Sequence, residues 1–402
     1  MLGAGKAAAE MAAVTERTYL EQGLDPKSGR LSGSVATRHG YGVETKIISV
    51  DEAGHPIPDD ASINAAQTAL KLATTATPND LILVLLSGGA SAIWCAPVPG
   101  ISLDEKQDLT RKLLRAGASI HEINAVRKHL SAIKGGGLAE AAWSAQTNRQ
   151  TGTRLITLAI SDVPGDHPST IGSGPTSGDE TTLMDARTVV EKYNIQVSEN
   201  IRNILSDPAN ETPEPNNEIF ENTSFKIIAS AKLALDAAAR CAKKLGYKPL
   251  IIGEAFEGEA SQVGHNHAIL ALEKMAGRSP VALISGGELT VKVTGSGSGG
   301  PNQEYILAML TKLNGSSGIS AIAADSDGSD GGTGSKDDPA GAFITPDTLN
   351  MAKSLNLNPA IFLENNDSSG FFRKLNRLIV TGPTQTNVND IRIILIDPKS
   401  VS

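Results

Sequence analysis

Aromatic side chains make up only 3% of this chain of 402 residues, and cysteine is scarcer still, with Cys95 and Cys241 alone. Two cysteines so far apart, without metal-ligand spacing, exclude a disulfide framework and argue against a zinc site. Two reduced, partly buried thiols are expected. No dense basic run occurs and the net charge is −8, which argues against nucleic acid or an anionic membrane as the main partner. Long apolar runs are missing too. The longest, Leu81 to Leu86, is far too short to cross a bilayer, and Lys6 and Glu10 interrupt the alanine-rich start, so no signal-peptide core forms. A soluble, cytoplasmic protein is expected. Gly5-Lys6 is followed by Ala7 where a Walker A loop needs Ser or Thr, and Gly89-Ala90-Ser91-Ala92-Ile93 lacks the second glycine of a nucleophile elbow.

The chain does contain glycine turns placed just after apolar runs. Leu81–Leu86 enters Ser87-Gly88-Gly89-Ala90-Ser91, and Val281–Ile284 enters Ser285-Gly286-Gly287-Glu288. A short apolar run bounded by turn residues reads as a strand buried on both faces. Glycines past its carboxyl end let backbone approach a ligand where open α/β sheets bind one. Strand-like and helix-like segments alternate on both sides of a polar, proline-bearing stretch, Ser206 to Asn222. Two α/β domains are therefore expected: 1–215, with a Rossmann-like sheet, and a smaller one at 216–402. Parallel strands should predominate in both. The second half is expected to hold strands at Lys226–Ala229, Pro249–Ile252, Val281–Ile284, Leu289–Val293, Ile319–Ala323 and Ile391–Ile396.

Several residue sets in this pattern are able to carry chemistry. A helix over Ile120–Ile133 buries Ile120, Ile123, Val126, Leu130 and Ile133 on one stripe and puts Asn124, Arg127, Lys128 and Ser131 on the other side. The bland reading of that side is a solvated basic face; the following Lys134-Gly135-Gly136-Gly137 favours a turn that hugs a ligand. Asp162 and Asp166 follow the strand ending at Ile160, where carboxylates hold Mg²⁺ or act as a base, or merely cap a loop. Asp325-Ser326-Asp327-Gly328-Ser329-Asp330 opens like a calcium loop, but Lys336 stands where the bidentate Glu belongs, so a Mg²⁺–phosphate or hydroxyl site fits better. Gly295-Ser296-Gly297-Ser298-Gly299-Gly300 matches the dinucleotide fingerprint, with Asp325 near the place of a ribose-binding acid. His55 and His129 read as structural.

Taken together and in order, these stretches closely resemble the class II glycerate 2-kinases, the family of the MOFRL domain, some of whose members were long labelled hydroxypyruvate reductases. The matching residues run from Gly3–Ala8 and Ala53–Asp59 through Leu86–Ala92, Glu122–Gly136, Ser161–Asp166 and Ser173–Thr176. They continue with Ser285–Thr290, Gly299–Glu304, Asp327–Gly331 and Thr381–Val388. The resemblance implies transfer of the ATP γ-phosphoryl group to the 2-hydroxyl of D-glycerate with Mg²⁺, in a cleft between two domains. It makes Lys6 the family's important lysine. On this reading Ser87, Gly88, Gly89, Ser91, Lys134, Gly135 and Gly136 face phosphate, and Arg127 holds the glycerate carboxylate. Asn124, Ser131, Glu288, Asn302 and Asn387 line the cleft. Asp162, Asp166, Asp327 and Asp330 are the candidates for Mg²⁺, with Asp162 or Asp327 accepting the hydroxyl proton.

Relatives carry a helix and strand before the glycine-lysine turn, so Lys6 is expected on a loose terminus beside an unpaired sheet edge. Pro301 and Ser298 stand where many relatives have Arg. The alternatives are an NAD(P)-dependent hydroxypyruvate reductase and a non-catalytic small-molecule binder. The oligomeric state is open, a homodimer being one expectation.

Overall fold

The computed structural model describes residues 1–144, 153–331 and 337–398; Gly332 and Lys336 of the Asp/Gly loop lie outside them. The chain divides into two compact units, Met1–Ile228 and Ala229–Ser402. The first is built on strands β1 (Leu2–Ala4), β2 (Ser34–Arg38), β3 (Ser49–Ala53), β4 (Leu81–Leu86), β5 (Arg154–Ser161) and β6 (Thr223–Ser230). They form one sheet in the order β3-β2-β1-β4-β5-β6, and the neighbouring pairs from β3 to β5 are parallel. Its helices are α1 (Ala8–Glu21), α2 (Asp60–Thr74), α3 (Ala90–Ile93), α4 (Leu103–Arg115), α5 (Ile120–His129), α6 (Gly137–Ser144), α7 (Leu183–Lys192) and α8 (Glu199–Ser206). Much of the packing on the sheet is alanine on alanine, with Ala65, Ala66, Ala69 and Ala73 of α2 buried against the strands.

Two expectations change here. Lys6 does not hang from a loose end: Leu2, Gly3 and Ala4 form a short strand paired to β2 on one side and β4 on the other. Nor does the division fall at residue 215. β6 joins the first sheet, and the proline-bearing stretch packs on this unit, with Pro213 O accepting the Asp179 amide at 2.9 Å.

The second unit holds β7 (Lys248–Phe256), β8 (Val281–Gly287), β9 (Ile319–Asp325), β10 (Gly341–Ile344), β11 (Leu378–Ile379) and β12 (Asp390–Ile396). Its helices are α9 (Ala231–Lys244), α10 (Ala260–Lys274), α11 (Pro301–Leu313), α12 (Thr348–Ser354), α13 (Pro359–Glu364) and α14 (Ser368–Leu375). The sheet order is β11-β10-β9-β12-β8-β7. Among the described residues only β7 and β8 pair in parallel; β12 runs antiparallel to both β8 and β9, so this sheet is mixed rather than mainly parallel. Leu289–Val293 is not a strand. Thr290 makes a single bridge to Glu259, and the chain then turns away to the 365–369 segment. Among the described residues no helix is long and apolar enough to cross a membrane.

Candidate active site

In an open parallel sheet the ligand crevice lies beyond the carboxyl ends of the strands, where the strand order reverses. In the first unit that point falls between β1 and β4, and both of these strands end in a glycine turn. The turns interlock. Lys6 N donates to Gly88 O at 2.8 Å, Ala7 N to Ser87 Oγ at 2.9 Å, and Ser87 N to Ala4 O at 3.1 Å. Gly5 has φ +129°, and a Cβ there would strike the Ser87 hydroxyl and carbonyl. Gly89 has φ +85°, and a Cβ there would lie 2.8 Å from the His55 ring. Both positions therefore need glycine for their backbone conformation and for the closeness of the neighbouring group. Asp162 follows β5, the next strand, at the same edge of the sheet.

Cations cluster beside these turns. Arg127 on α5 donates to Ser91 Oγ at 2.8 Å, to Ser91 O at 3.5 Å and to Asn124 Oδ1 at 3.3 Å. Ser91 Oγ also lies 2.8 Å from Ser173 Oγ. Behind Ser91, the buried Lys134 donates to Ser91 O at 2.6 Å and to Trp94 O at 3.0 Å. Lys106, buried on α4, donates to Leu130 O at 3.1 Å. Among the described residues none of these three cations pairs with a carboxylate; their partners are neutral oxygens. Burial holds Lys106 down to about 8 and Lys134 well below the usual lysine range, and neighbouring Arg127 lowers both further. A buried positive cluster of this kind attracts an anion to Arg127 and the two serine hydroxyls.

Several of the residues that the sequence singles out have partners within the protein. The helix carrying Arg127 ends at His129, and its other side is not solvated: Lys128 is buried on Asp179 at 2.9 Å, while Ile120 is exposed. Ser87 is buried and serves as an internal brace. Gly135 N and Gly136 N donate to Ser173 O and Gly174 O at 2.9 and 2.7 Å, so these amides hold the 173–176 turn rather than a ligand. Ser131 is buried and donates to Ala96 O. Helix α3 after Gly89 spans four residues, too few for a strong dipole. Lys106 was missed. The signal for Lys106 lies in the spacing of α4, where it takes a core position in register with the buried Leu109 and Leu113. Cys95 is buried near the cluster, whereas Cys241 is exposed.

In the second unit Glu288, Asp327 and Asn387 stand at one edge of the sheet, after β8, after β9 and before β12. Glu288 is exposed there; Asn387 is mostly buried, its Oδ1 accepting Asn389 N at 3.0 Å. Asn302 and Asp330 are buried beneath that edge. Asp330 accepts the amides of Asn302 and Gln303 at 2.8 and 2.9 Å, which caps α11, and Asn302 Nδ2 bridges Asp330 to Asp390. Burial raises Asp330, and raises Asp390 to about 6 despite its ion pair with Arg392. Neither Asn302 nor Asp330 lines a cleft. Among the described residues no three His, Cys, Asp or Glu side chains come together as a metal site.

The glycine-rich loop at 295–300 is also occupied from within. Thr294 N, Gly295 N and Ser296 N donate to Asn366 and Asn365 side chains at 2.8 to 3.1 Å. Gly297 N donates to Asn365 O at 2.9 Å. With Asp330 on the Asn302 and Gln303 amides, the donors from Thr294 to Ser298 and at the start of α11 already have partners.

Residues 1–206 match a family model described as a domain of unknown function, DUF4147, and residues 281–390 match the MOFRL family. A protein of Agrobacterium vitis, provisionally named a hydroxypyruvate reductase, is 43% identical, the match covering 98% of this chain and 86% of that protein. The glycerate 2-kinase of Pyrococcus horikoshii is 39% identical over 99% of this chain and 87% of its own length. The crystal structure of a glycerate kinase from Thermotoga maritima superposes with a TM-score of 0.87 at 37% identity, covering 98% of this chain and 91% of that one.

Proposed function

The chain belongs to the glycerate 2-kinase family with its MOFRL domain, and on that premise we propose that it phosphorylates the 2-hydroxyl of D-glycerate from ATP with Mg²⁺. The observation that carries the reading is the cationic cluster of Arg127, Lys134 and Lys106 beside the turns at the switch point of the first sheet, lacking any carboxylate partner among the described residues. Such a cluster suits an acid substrate. Arg127, with the hydroxyls of Ser91 and Ser173, binds the glycerate carboxylate and so fixes where the 2-hydroxyl lies. Lys6, in the turn facing Gly88, neutralises charge on the transferring phosphoryl group. Phosphate approaches the backbone of the Gly88-Gly89 turn beside Lys6.

A Mg²⁺ carried on nucleotide phosphates needs only one or two carboxylates, which suits Asp162 and Asp166 on one loop and does not require a closed protein cage. Bound there, it neutralises phosphate charge. Asp162 is the preferred acceptor for the hydroxyl proton, since it stands at the edge that holds Lys6 and Ser91. Asp330 is excluded from metal binding because it caps α11.

The hydroxypyruvate reductase reading loses support, because the amides of Gly295 to Ser298 in the fingerprint loop are satisfied internally. The test is a paired assay. Incubation with D-glycerate, ATP and Mg²⁺ is expected to yield 2-phosphoglycerate, while NADH with hydroxypyruvate is expected to show no oxidation. NADH turnover without phosphorylation reverses the conclusion.

A further inference from the structure

Three cations packed around one short helix make a site whose charge cannot stay constant when an anion enters. Arg127 approaches Ser91 from α5, Lys134 reaches the same Ser91 carbonyl from the turn after α5, and Lys106 comes from α4. The further titratable group bearing on all three is Cys95, on the segment after α3. Burying like charges without a counter-ion is costly, and the cost falls if one of them gives up its proton. Arginine keeps its proton in proteins, so the lysines are the groups that yield. The geometry accommodates this. Lys134 donates to two carbonyls, Ser91 O and Trp94 O, and a neutral amine retains two N–H bonds, enough for both.

We propose that seating an anion on Arg127 and Ser91 draws one proton from solvent onto the Lys106–Lys134 pair, so that substrate capture and protonation of the site are one event. The proton bonds to a lysine Nζ lone pair, and nothing else changes hands. This rests on the reading of Arg127 and Ser91 as the acid subsite. The incoming negative charge replaces the missing counter-ion and raises the proton affinity of the lysines behind Ser91. Lys106, pushed by burial to about 8, responds in the mildly alkaline range, and Lys134 is pushed down by burial and by both neighbouring cations.

The test is calorimetric titration of the full chain with D-glycerate in two buffers of different ionisation enthalpy. Glycerate is fully ionised above about pH 6 and contributes no proton of its own. A net uptake of about 0.3 to 1 proton per glycerate is expected near pH 8.5, shrinking at lower pH as Lys106 becomes protonated beforehand. In Lys134→Gln, and independently in Lys106→Gln, uptake per glycerate bound is expected to fall by about half or more, whatever the change in affinity. Binding without uptake from about pH 6 to 9 overturns the linkage and leaves the acid subsite standing. Uptake unchanged in both variants also overturns it. Sulfate binding with uptake, where glycerate produces no heat, upholds the linkage and overturns the glycerate assignment.

Discussion

Arg127 shows how much a single side chain's surroundings decide. By spacing alone it belongs to a polar helix face with Asn124 and Lys128. In the fold it is half-buried, and its guanidinium holds the hydroxyl of Ser91, itself paired with Ser173. If that arrangement binds a carboxylate, Arg127→Ala loses a charge-assisted contact worth about 1.5 to 3 kcal/mol, or about 10- to 100-fold in kcat/KM for glycerate. Most of the loss is expected in KM for glycerate, with KM for ATP little changed. Steady-state kinetics with each substrate varied in turn checks this, and an equal rise in both KM values contradicts the assignment. Lys106 and Lys134 were harder to read. A lysine in a core position looks like a misplaced surface residue until its neighbours are known.

At the scale of elements, the site is an interlock of the turns after β1 and β4. β4 was recognisable from its apolar run; β1 was not expected, and neither were the hydrogen bonds that join Lys6 to Gly88 and Ala7 to Ser87. Those depend on two strands far apart in sequence becoming neighbours. Gly89→Ala forces a left-handed conformation on an L residue and places its methyl group against the His55 ring. The variant is expected to be less stable by about 1 to 3 kcal/mol, read as a lower urea midpoint, with activity reduced even where it remains folded. The glycine-rich loop at 295–300 teaches the converse. Its pattern fits a dinucleotide, yet its amides bind the 365–369 segment, so the same glycines serve chain packing.

At the scale of the molecule, two six-stranded sheets arise from one alternating pattern, and they differ in strand direction. Alternation predicted parallel strands in both, and this holds where helices cross between successive strands of the first unit. It fails in the second because β12, from the far end of the chain, inserts antiparallel between β8 and β9. The fold also carries an acid sensitivity legible only in three dimensions. Glu122, at the start of α5, accepts from Lys192 and Tyr193 near the end of α7 and from Ser119. Lys192 above all holds its carboxyl down to about 2. Because the folded value is depressed, the stabilisation is present above the ordinary glutamate range and is lost as pH falls from about 4.5 towards 2. Glu122→Gln is expected to flatten the fall in urea midpoint across that window; an unchanged slope counts against the contact between α5 and α7.

The amino-acid sequence by itself determined the class of the fold, the strands that end in glycine turns, and the family, because these rest on local periodicity, turn chemistry and an ordered set of short motifs. Only the tertiary structure decided which polar groups of those motifs already have partners within the fold. Ser87, Gly135, Asn302 and Asp330 have the residue types of a binding site, but the fold uses their polar groups internally. Arg127, Lys134 and Lys106 acquire their chemistry from having no carboxylate partner among the described residues once they are packed together. Whether a polar atom is already satisfied depends on residues tens of positions away, and no local pattern records that.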